Sequence, residues 1–539
     1  MSNHYPFNWN AAYPTLRTPV FARNIVSTSQ PLAAQAGLRM LLAGGNAVDA
    51  TVAAAAAISI CEPVSNGLGS DAFAIIWDGK QMHGMNASGT APAAWDVAYF
   101  QKKYNGVFPV RGVDSVTVPG AVAGWAAMHE KFGKLSFEQC LQPAIELAEH
   151  GYGVTSITQN KWAAQVPLLQ DQPGFAQAFM PKGRAPNVGE KFIFTGAAET
   201  LKRIAATKGK DYYEGQTAQA IAAFCQQHGA VITADDFKTY SVDWVKPLSQ
   251  NYRGYTLHEI PPNGQGIAAL MALGMLEHFD LSSYAVDSAQ SMHLQIEAMK
   301  LAFADVYAYV ADSRYMTKVT PEALLNPSYL AERAKLIKHD KATHFEHGTP
   351  PAGGTIYLTT ADESGMMVSY IQSNYMGFGS GVVVPGTGVS LQNRGHGFSL
   401  DKNHQNCVAP GKRPFQTIIP AFLTKDGEPQ MSFGVMGGNM QPQGHIQTLI
   451  RMLDYKQNPQ AACDAPRWKV QRGLEVDAEN TVPPATVTDL KGMGHQIVRT
   501  EDSYMDFGSG QFIWKLSQTE DDGYVAASDS RRDGCAVGY

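Results

Sequence analysis

At Thr355 the texture of the chain changes within a few residues. Upstream, residues 333–354 mix Lys, His, Asp, Glu, Gly and Pro with little periodicity. They end in Thr349-Pro350-Pro351-Ala352-Gly353-Gly354, a loop by its turn chemistry. Downstream, Thr355–Ala361 and Met366–Gln372 are β-rich runs joined by Asp362-Glu363-Ser364-Gly365, which read as a hairpin. A small-residue loop that runs into a strand-opening threonine suits one chemistry in particular. Once the Gly354–Thr355 bond is cut, Thr355 carries a hydroxyl and a free α-amine. That amine, with a pKa of about 8, can act as base for its own Oγ. Gly354 leaves the scissile carbonyl unhindered, and Gly437-Gly438 offer backbone N–H groups for an oxyanion. A Gly-Gly-Thr triplet is also a common turn, and spacing alone leaves both readings open.

The rest of the chain reads as an ordered α+β protein. Residues 31–43 and 47–60 are helical patterns, the second rich in alanine and suited to tight burial between layers. Residues 73–77 and 81–85 read as strands around Asp78-Gly79-Lys80. Residues 120–310 read as mostly helical. The clearest helix is 288–310, where Met292, Ile296, Met299, Phe303, Val306 and Val310 form one core-facing stripe. Glycine-punctuated strands follow Thr355 to the C-terminus.

Composition narrows the function. The net charge is −6, with no basic block, so a nucleic-acid partner has no electrostatic support; the run 333–340 reads as a solvated helix face. Six scattered cysteines without a CxxC pair argue against zinc and redox motifs. Residues 1–17 lack the pattern of a signal peptide, and the apolar run 47–61 is too short for a bilayer, which together predict a cytoplasmic protein without a membrane partner. Gly67-Leu68-Gly69-Ser70-Asp71-Ala72 mimics a dinucleotide loop. It follows a helix and precedes a strand, the reverse of what that motif needs, so a structural turn is expected. His339, His344 and His347 fall in the loop before Thr355 and read as polar loop residues rather than metal ligands.

A series of segments, in order, carries a resemblance. They are Gly44-Gly-Asn-Ala-Val-Asp-Ala50, Pro119-Gly-Ala-Val-Ala-Gly124, Tyr252-Arg-Gly-Tyr255, Pro261-Pro-Asn-Gly-Gln-Gly266, Phe378-Gly-Ser-Gly381, Lys412-Arg-Pro414, Gly437-Gly438 and Ser528-Asp-Ser-Arg531. With them the chain resembles the γ-glutamyltransferase family of N-terminal-nucleophile hydrolases over nearly its full length. The resemblance implies a four-layer αββα sandwich and a precursor cut between Gly354 and Thr355 into segments of 354 and 185 residues, which together form one domain. It implies that large and small subunits from one precursor assemble, with a dimer of heterodimers possible, and that no metal or cofactor is required. Thr355 falls on the nucleophile, Ser373 on the residue that orients the new amine, and Gly437 and Gly438 on the oxyanion hole.

The departures from the family concern substrate. The arginine that grips the glutamate carboxylate is missing from Ser88-Gly89-Thr90-Ala91-Pro92, and the acid that grips the ammonium is missing from Arg394-Gly395-His396-Gly397-Phe398. A carboxylate-binding Ser-Ser pair is Gln416-Thr417, and a family Asn is Tyr375, with Asn374 beside it. An unpaired buried ammonium costs about 3–5 kcal/mol. A pocket that loses its acid and gains Arg394 therefore suits an anion without an ammonium, because the planar guanidinium fork matches a carboxylate. Arg394 in a structural ion pair is an equal alternative. Tyr375 and Phe378 are expected to narrow the pocket. The sequence is closest in look to the oxamate amidohydrolases of the family, which makes a small carboxylate-bearing amide the expected substrate. Rival readings are a γ-glutamyl hydrolase or transferase, an inactive binding protein on the same scaffold, and a nucleotide-dependent oxidoreductase resting on the Gly67 loop alone.

Overall fold

The computed structural model describes residues 17–345, 354–500, 507–516 and 523–539. The expected pre-Thr355 loop, His347 and most of the N-terminal segment lie outside the described residues. Two seven-stranded sheets form the centre. One runs Cys535–Gly538, Ile25–Thr28, Gly354–Ala361, Met367–Tyr375, Asp71–Trp77, Met82–Ala87 and Asp243–Val245. The other runs Val20–Ala22, Tyr524–Ser528, Ser509–Lys515, Glu428–Met436, Ala421–Lys425, Tyr255–Glu259 and Leu248–Tyr252. All pairings within both sheets are antiparallel.

Strand alternation sorts the residues into layers. Phe73, Ile75, Tyr357, Met367 and Ile371 meet Phe422, Met436 and Ile513 between the sheets. Ile356, Leu358, Val368 and Tyr370 point the other way, into the helical layer that holds Ala47–Cys61. The second sheet buries its outer face against Ile267–Leu276, Ala289–Tyr309 and Met440–Leu453. The expected αββα sandwich is therefore present. The alanine-rich helix starts with a capping box, Asn46 accepting from the Asp49 N–H while Asp49 accepts from the Asn46 N–H. Every residue in it is buried.

Several readings need correction. Residues 243–259 are three strands, not helix. Their short polar alternation, with Gln250, Asn251 and Thr256, gives little signal against long helical neighbours. Three helices, Met440–Leu453, Pro459–Asp464 and Pro484–Gly492, interrupt the C-terminal strands. The helix Ala289–Tyr309 is buried nearly all round rather than along one stripe, because it also supports residues 338–343. Its Glu297 and Lys300 form a buried ion pair there. His339 packs on Phe279, while His344 lies against Gly473. The buried group of potential ligands nearby is instead His293, Glu297 and His495. Among the described residues, no helix is long and apolar enough to cross a membrane.

Candidate active site

The site forms where the apolar filling between the sheets gives way to polar side chains. On the Thr355 strand the inward positions are Thr355, Tyr357, Thr359 and Ala361; on the neighbouring strand they are Met367, Ser369, Ile371, Ser373 and Tyr375. Regular pairing breaks at the end of this ladder: Gly354 pairs with Tyr375 and Ile356 with Gln372, so Ser373 and Asn374 together oppose Thr355. This β-bulge re-aims the side chains. Tyr375 takes a left-handed φ of 78° as the strand leaves the sheet, and its N–H donates to Ser373 Oγ at 2.8 Å.

Thr355, only 2 % exposed, donates its Oγ1–H to Ser373 Oγ at 3.3 Å. Gln441 Nε2 approaches the same Thr355 oxygen at 3.5 Å. Gln441 stands in the first turn of Met440–Leu453, just past Gly437-Gly438, and its Oε1 is fixed by the Ile419 N–H at 2.9 Å. Gly437 and Gly438 have φ of 119° and 62°, which L side chains rarely adopt. A Cβ on Gly437 would also meet Gly508 Cα at 2.9 Å. Gln265 Nε2 braces this turn by donating to the carbonyls of Gly438 (2.9 Å) and Thr417 (2.6 Å). A helix N-terminus behind two open glycine amides favours developing negative charge beside Thr355.

Next to Thr355 lies a cluster of five buried side chains, Arg394, Tyr375, Thr417, Asp71 and Gln416. Arg394 enters from a short 3₁₀ turn, Arg394–Gly397, and its guanidinium lies 4.7 Å over the Tyr375 ring. Nη1 donates to Thr417 Oγ1 at 2.9 Å; Nε and Nη2 have no hydrogen-bond partner among the described residues. Arg394 is in no ion pair among those residues. Burial lowers its pKa to about 10, against the pull of Asp71 and Tyr375, so it remains a cation at neutral pH.

Asp71 is the carboxyl that sequence reasoning missed. It pairs directly across from Ser373, and cross-strand partners face the same side, so it belongs to the inward layer of Thr355. Burial raises its pKa to about 6, while the Gly89 N–H, the Arg394 charge, the Gly120 N–H and the Gln416 amide draw it down. Gln416 Nε2 donates to Asp71 Oδ2 at 2.7 Å, and the Gly120 N–H to Oδ1 at 3.2 Å. The pair Gln416-Thr417 thus joins the two charges, one residue to each. The glycine-rich segment does form the expected turn, with the Gly67 N–H donating to Ser70 Oγ at 2.9 Å. Its contribution to the pocket is the Asp71 that follows. An acid opening a strand after such a turn was the one available signal.

Two other residues sit away from this cluster. Asn374 faces the helical side, where its Oδ1 accepts from Ser70 Oγ at 2.7 Å and its N–H donates to Ser65 O. Phe378 packs among Trp162, Phe175 and Phe179 in the outer core rather than narrowing the pocket.

Comparison with known proteins gives consistent relatives along the whole chain. The Bacillus subtilis protein described as a glutathione hydrolase-like YwrD proenzyme is 35% identical, covering 97% of this chain and 99% of its own. The oxamate amidohydrolase proenzyme of Klebsiella pneumoniae is 34% identical, covering 94% and 97%. The crystal structure of a cephalosporin acylase from Bacillus halodurans superposes with a TM-score of 0.94 at 46% identity, covering 99% of each chain. Residues 33–539 match the family model described as Gamma-glutamyltranspeptidase, and the chain belongs to that family.

Proposed function

We propose that this family member is a self-processing amidohydrolase whose N-terminal threonine cleaves a small carboxylate-bearing amide, and that the amide is oxamate, yielding oxalate and ammonia. The observation that carries the reading is the buried Arg394 with an unpartnered Nε–Nη2 edge. That edge is the fork that takes a carboxylate side-on with two parallel N–H···O bonds. A structural ion pair would have filled it. The proenzyme relatives support processing into residues 1–354 and 355–539.

In maturation, Thr355 Oγ attacks the Gly354 carbonyl, the acyl group moves from nitrogen to oxygen, and water hydrolyses the ester. The α-amine of Thr355 is then free. In turnover that amine takes the Oγ proton as Oγ attacks the substrate amide. The N–H groups of Gly437 and Gly438 hold the oxyanion, Ser373 and Gln441 hold the Thr355 oxygen, and the proton passes to the departing nitrogen. Water then attacks the acyl-enzyme; the amine takes a proton from that water and returns it to Thr355 Oγ as the ester breaks. The sum is oxamate and water to oxalate and ammonium.

The γ-glutamyl alternative needs an anion for an ammonium. Asp71 is the acid of the pocket, and protein donors from Gly89, Gly120 and Gln416 already occupy its oxygens. Ammonia release from oxamate, measured beside p-nitroaniline release from γ-glutamyl-p-nitroanilide and hydrolysis of a cephalosporin amide, tests the choice. Turnover of either of the latter with none of oxamate refutes the oxamate assignment. A protein uncut and inert toward all three returns it to the class of binding proteins.

A further inference from the structure

Gln416 adds a third unpartnered buried atom to the cluster, beside the two of Arg394. Its side chain is fully buried, and Oε1 has no hydrogen-bond partner among the described residues. The residue cannot shift to find one: its N–H donates to Asn263 O, its C=O accepts from the Gln265 N–H, and its Nε2 is held by Asp71. Buried acceptors are normally satisfied, so an orphan in the same cluster as the unpartnered Arg394 nitrogens is a candidate for a ligand donor. Asp71 also decides which end of the Gln416 amide faces the pocket. An ionised carboxylate only accepts, so Nε2 turns toward it and Oε1 turns away. Among the described residues this buried cluster therefore holds two unpartnered donor nitrogens on Arg394 and one unpartnered acceptor on Gln416.

We propose that Gln416 reads an N–H donor on the carbon next to the substrate carboxylate, and that Asp71 is the positioning residue that sets this preference by fixing the Gln416 amide. The inference rests on Arg394 holding the carboxylate. With oxamate bound that way, the scissile nitrogen donates to Gln416 Oε1 while its carbonyl oxygen enters the Gly437-Gly438 turn. The same contact favours product release. Oxalate has nearly the shape of oxamate but places a carboxylate oxygen where the nitrogen stood, acceptor against acceptor. Substrate and product are then told apart by the polarity of one amide.

The geometry around Asp71 supplies the test. In Asp71→Asn the new amide keeps its oxygen on the Gly120 N–H and presents its NH₂ to Gln416. The Gln416 side chain then flips, turning Oε1 toward the new NH₂ and Nε2 into the pocket. The mature, cleaved enzyme is assayed for oxamate KM and for the competitive Ki of oxalate, in wild type, Asp71→Asn and Gln416→Met. In Asp71→Asn the oxamate KM rises and the oxalate Ki falls, each by about tenfold, the scale of one hydrogen bond gained or lost. In Gln416→Met the oxamate KM rises while oxalate binds at least as well as in wild type. A merely structural lesion weakens both ligands together. That result in both variants, or a ratio of Ki to KM unchanged in both, overturns the inference and leaves the Arg394 reading standing. Wild-type enzyme that binds neither ligand overturns both.

Discussion

Replacing Arg394 by methionine should cripple the enzyme while leaving stability nearly unchanged, and that separation makes the substitution informative. Two guanidinium nitrogens, Nε and Nη2, are buried and without a partner among the described residues. Each such group costs about 1–3 kcal/mol, so removing both returns about 2–6 kcal/mol. Against this stand the stacking on Tyr375, about 1–2 kcal/mol, and the bond to Thr417 Oγ1, about 1 kcal/mol. The attraction to the buried Asp71 is lost as well, about 1 kcal/mol more. The balance lies near zero, between about 2 kcal/mol unfavourable and about 3 kcal/mol favourable. Methionine fills a similar length and needs no partner. The loss falls on substrate binding: a carboxylate left without its buried partner loses about 3–5 kcal/mol, a fall of about 10²–10³-fold or more in kcat/KM. The assays are ammonia release over a range of oxamate concentrations and thermal unfolding of the cleaved protein. A Tm several degrees below wild type, with kcat/KM reduced only in proportion to the folded fraction, would refute the argument, because it would mean Arg394 is a structural cation after all.

Processing, the Gly437-Gly438 turn and the Asp71 carboxyl each give further outcomes. Wild-type protein should give two species by intact mass, about 38 and 20 kDa in proportion to 354 and 185 residues of the 58.3 kDa chain. Thr355→Ala should give one uncut, inactive chain; a cut and active variant removes the N-terminal-threonine mechanism. Gly437→Ala forces a Cβ onto a φ of 119° and against Gly508, and should lower kcat about 10²–10³-fold by displacing an oxyanion donor, with little change in KM; an unchanged kcat places the oxyanion elsewhere. For pH, Asp71 is a carboxyl raised to about 6 by burial, facing Arg394 and the neutral tyrosines Tyr212 and Tyr240. It is ionised above that value and protonates as pH falls through it, so oxamate KM should rise on the acid side of about pH 6. A raised acid binds its proton more tightly folded than unfolded. Its contribution therefore lowers stability as pH climbs from about 4 to about 6, and the penalty is fully present above that. The Tm of Asp71→Asn relative to wild type should accordingly be higher at pH 8 than at pH 5; an equal difference at both excludes Asp71 as the titrating group.

The sequence alone singled out Thr355 as the candidate reactive residue. A loop of Pro and Gly, a strand-opening Thr355 and a later Gly437-Gly438 are local features, each fixed by backbone chemistry within a few residues, and the ordered family segments extended them to the fold. The hairpin after Thr355, the capped alanine-rich helix and the long helix ending at Tyr309 were legible for the same reason: their periodicity is strong and short-range. The strands of 243–259 were not, because edge and half-buried strands carry weak alternation and take their identity from sheet partners far along the chain.

The character of the pocket was a tertiary decision. Read as a string, the stretch around Arg394 had gained a cation and lost its acid. Folding brings Asp71 into the same layer from a strand more than three hundred residues away in sequence. It turns Asn374 to the far face by strand alternation, and Phe378 into an aromatic core. Which polar atoms end up paired is a property of three-dimensional neighbours, since a hydrogen bond is satisfied by distance and angle and not by sequence separation. The sequence by itself therefore determined that Thr355 could become a nucleophile. Only the packing of two sheets determined that Arg394 keeps a free fork and Gln416 a free oxygen, because only that packing removes water from both while leaving each without a partner.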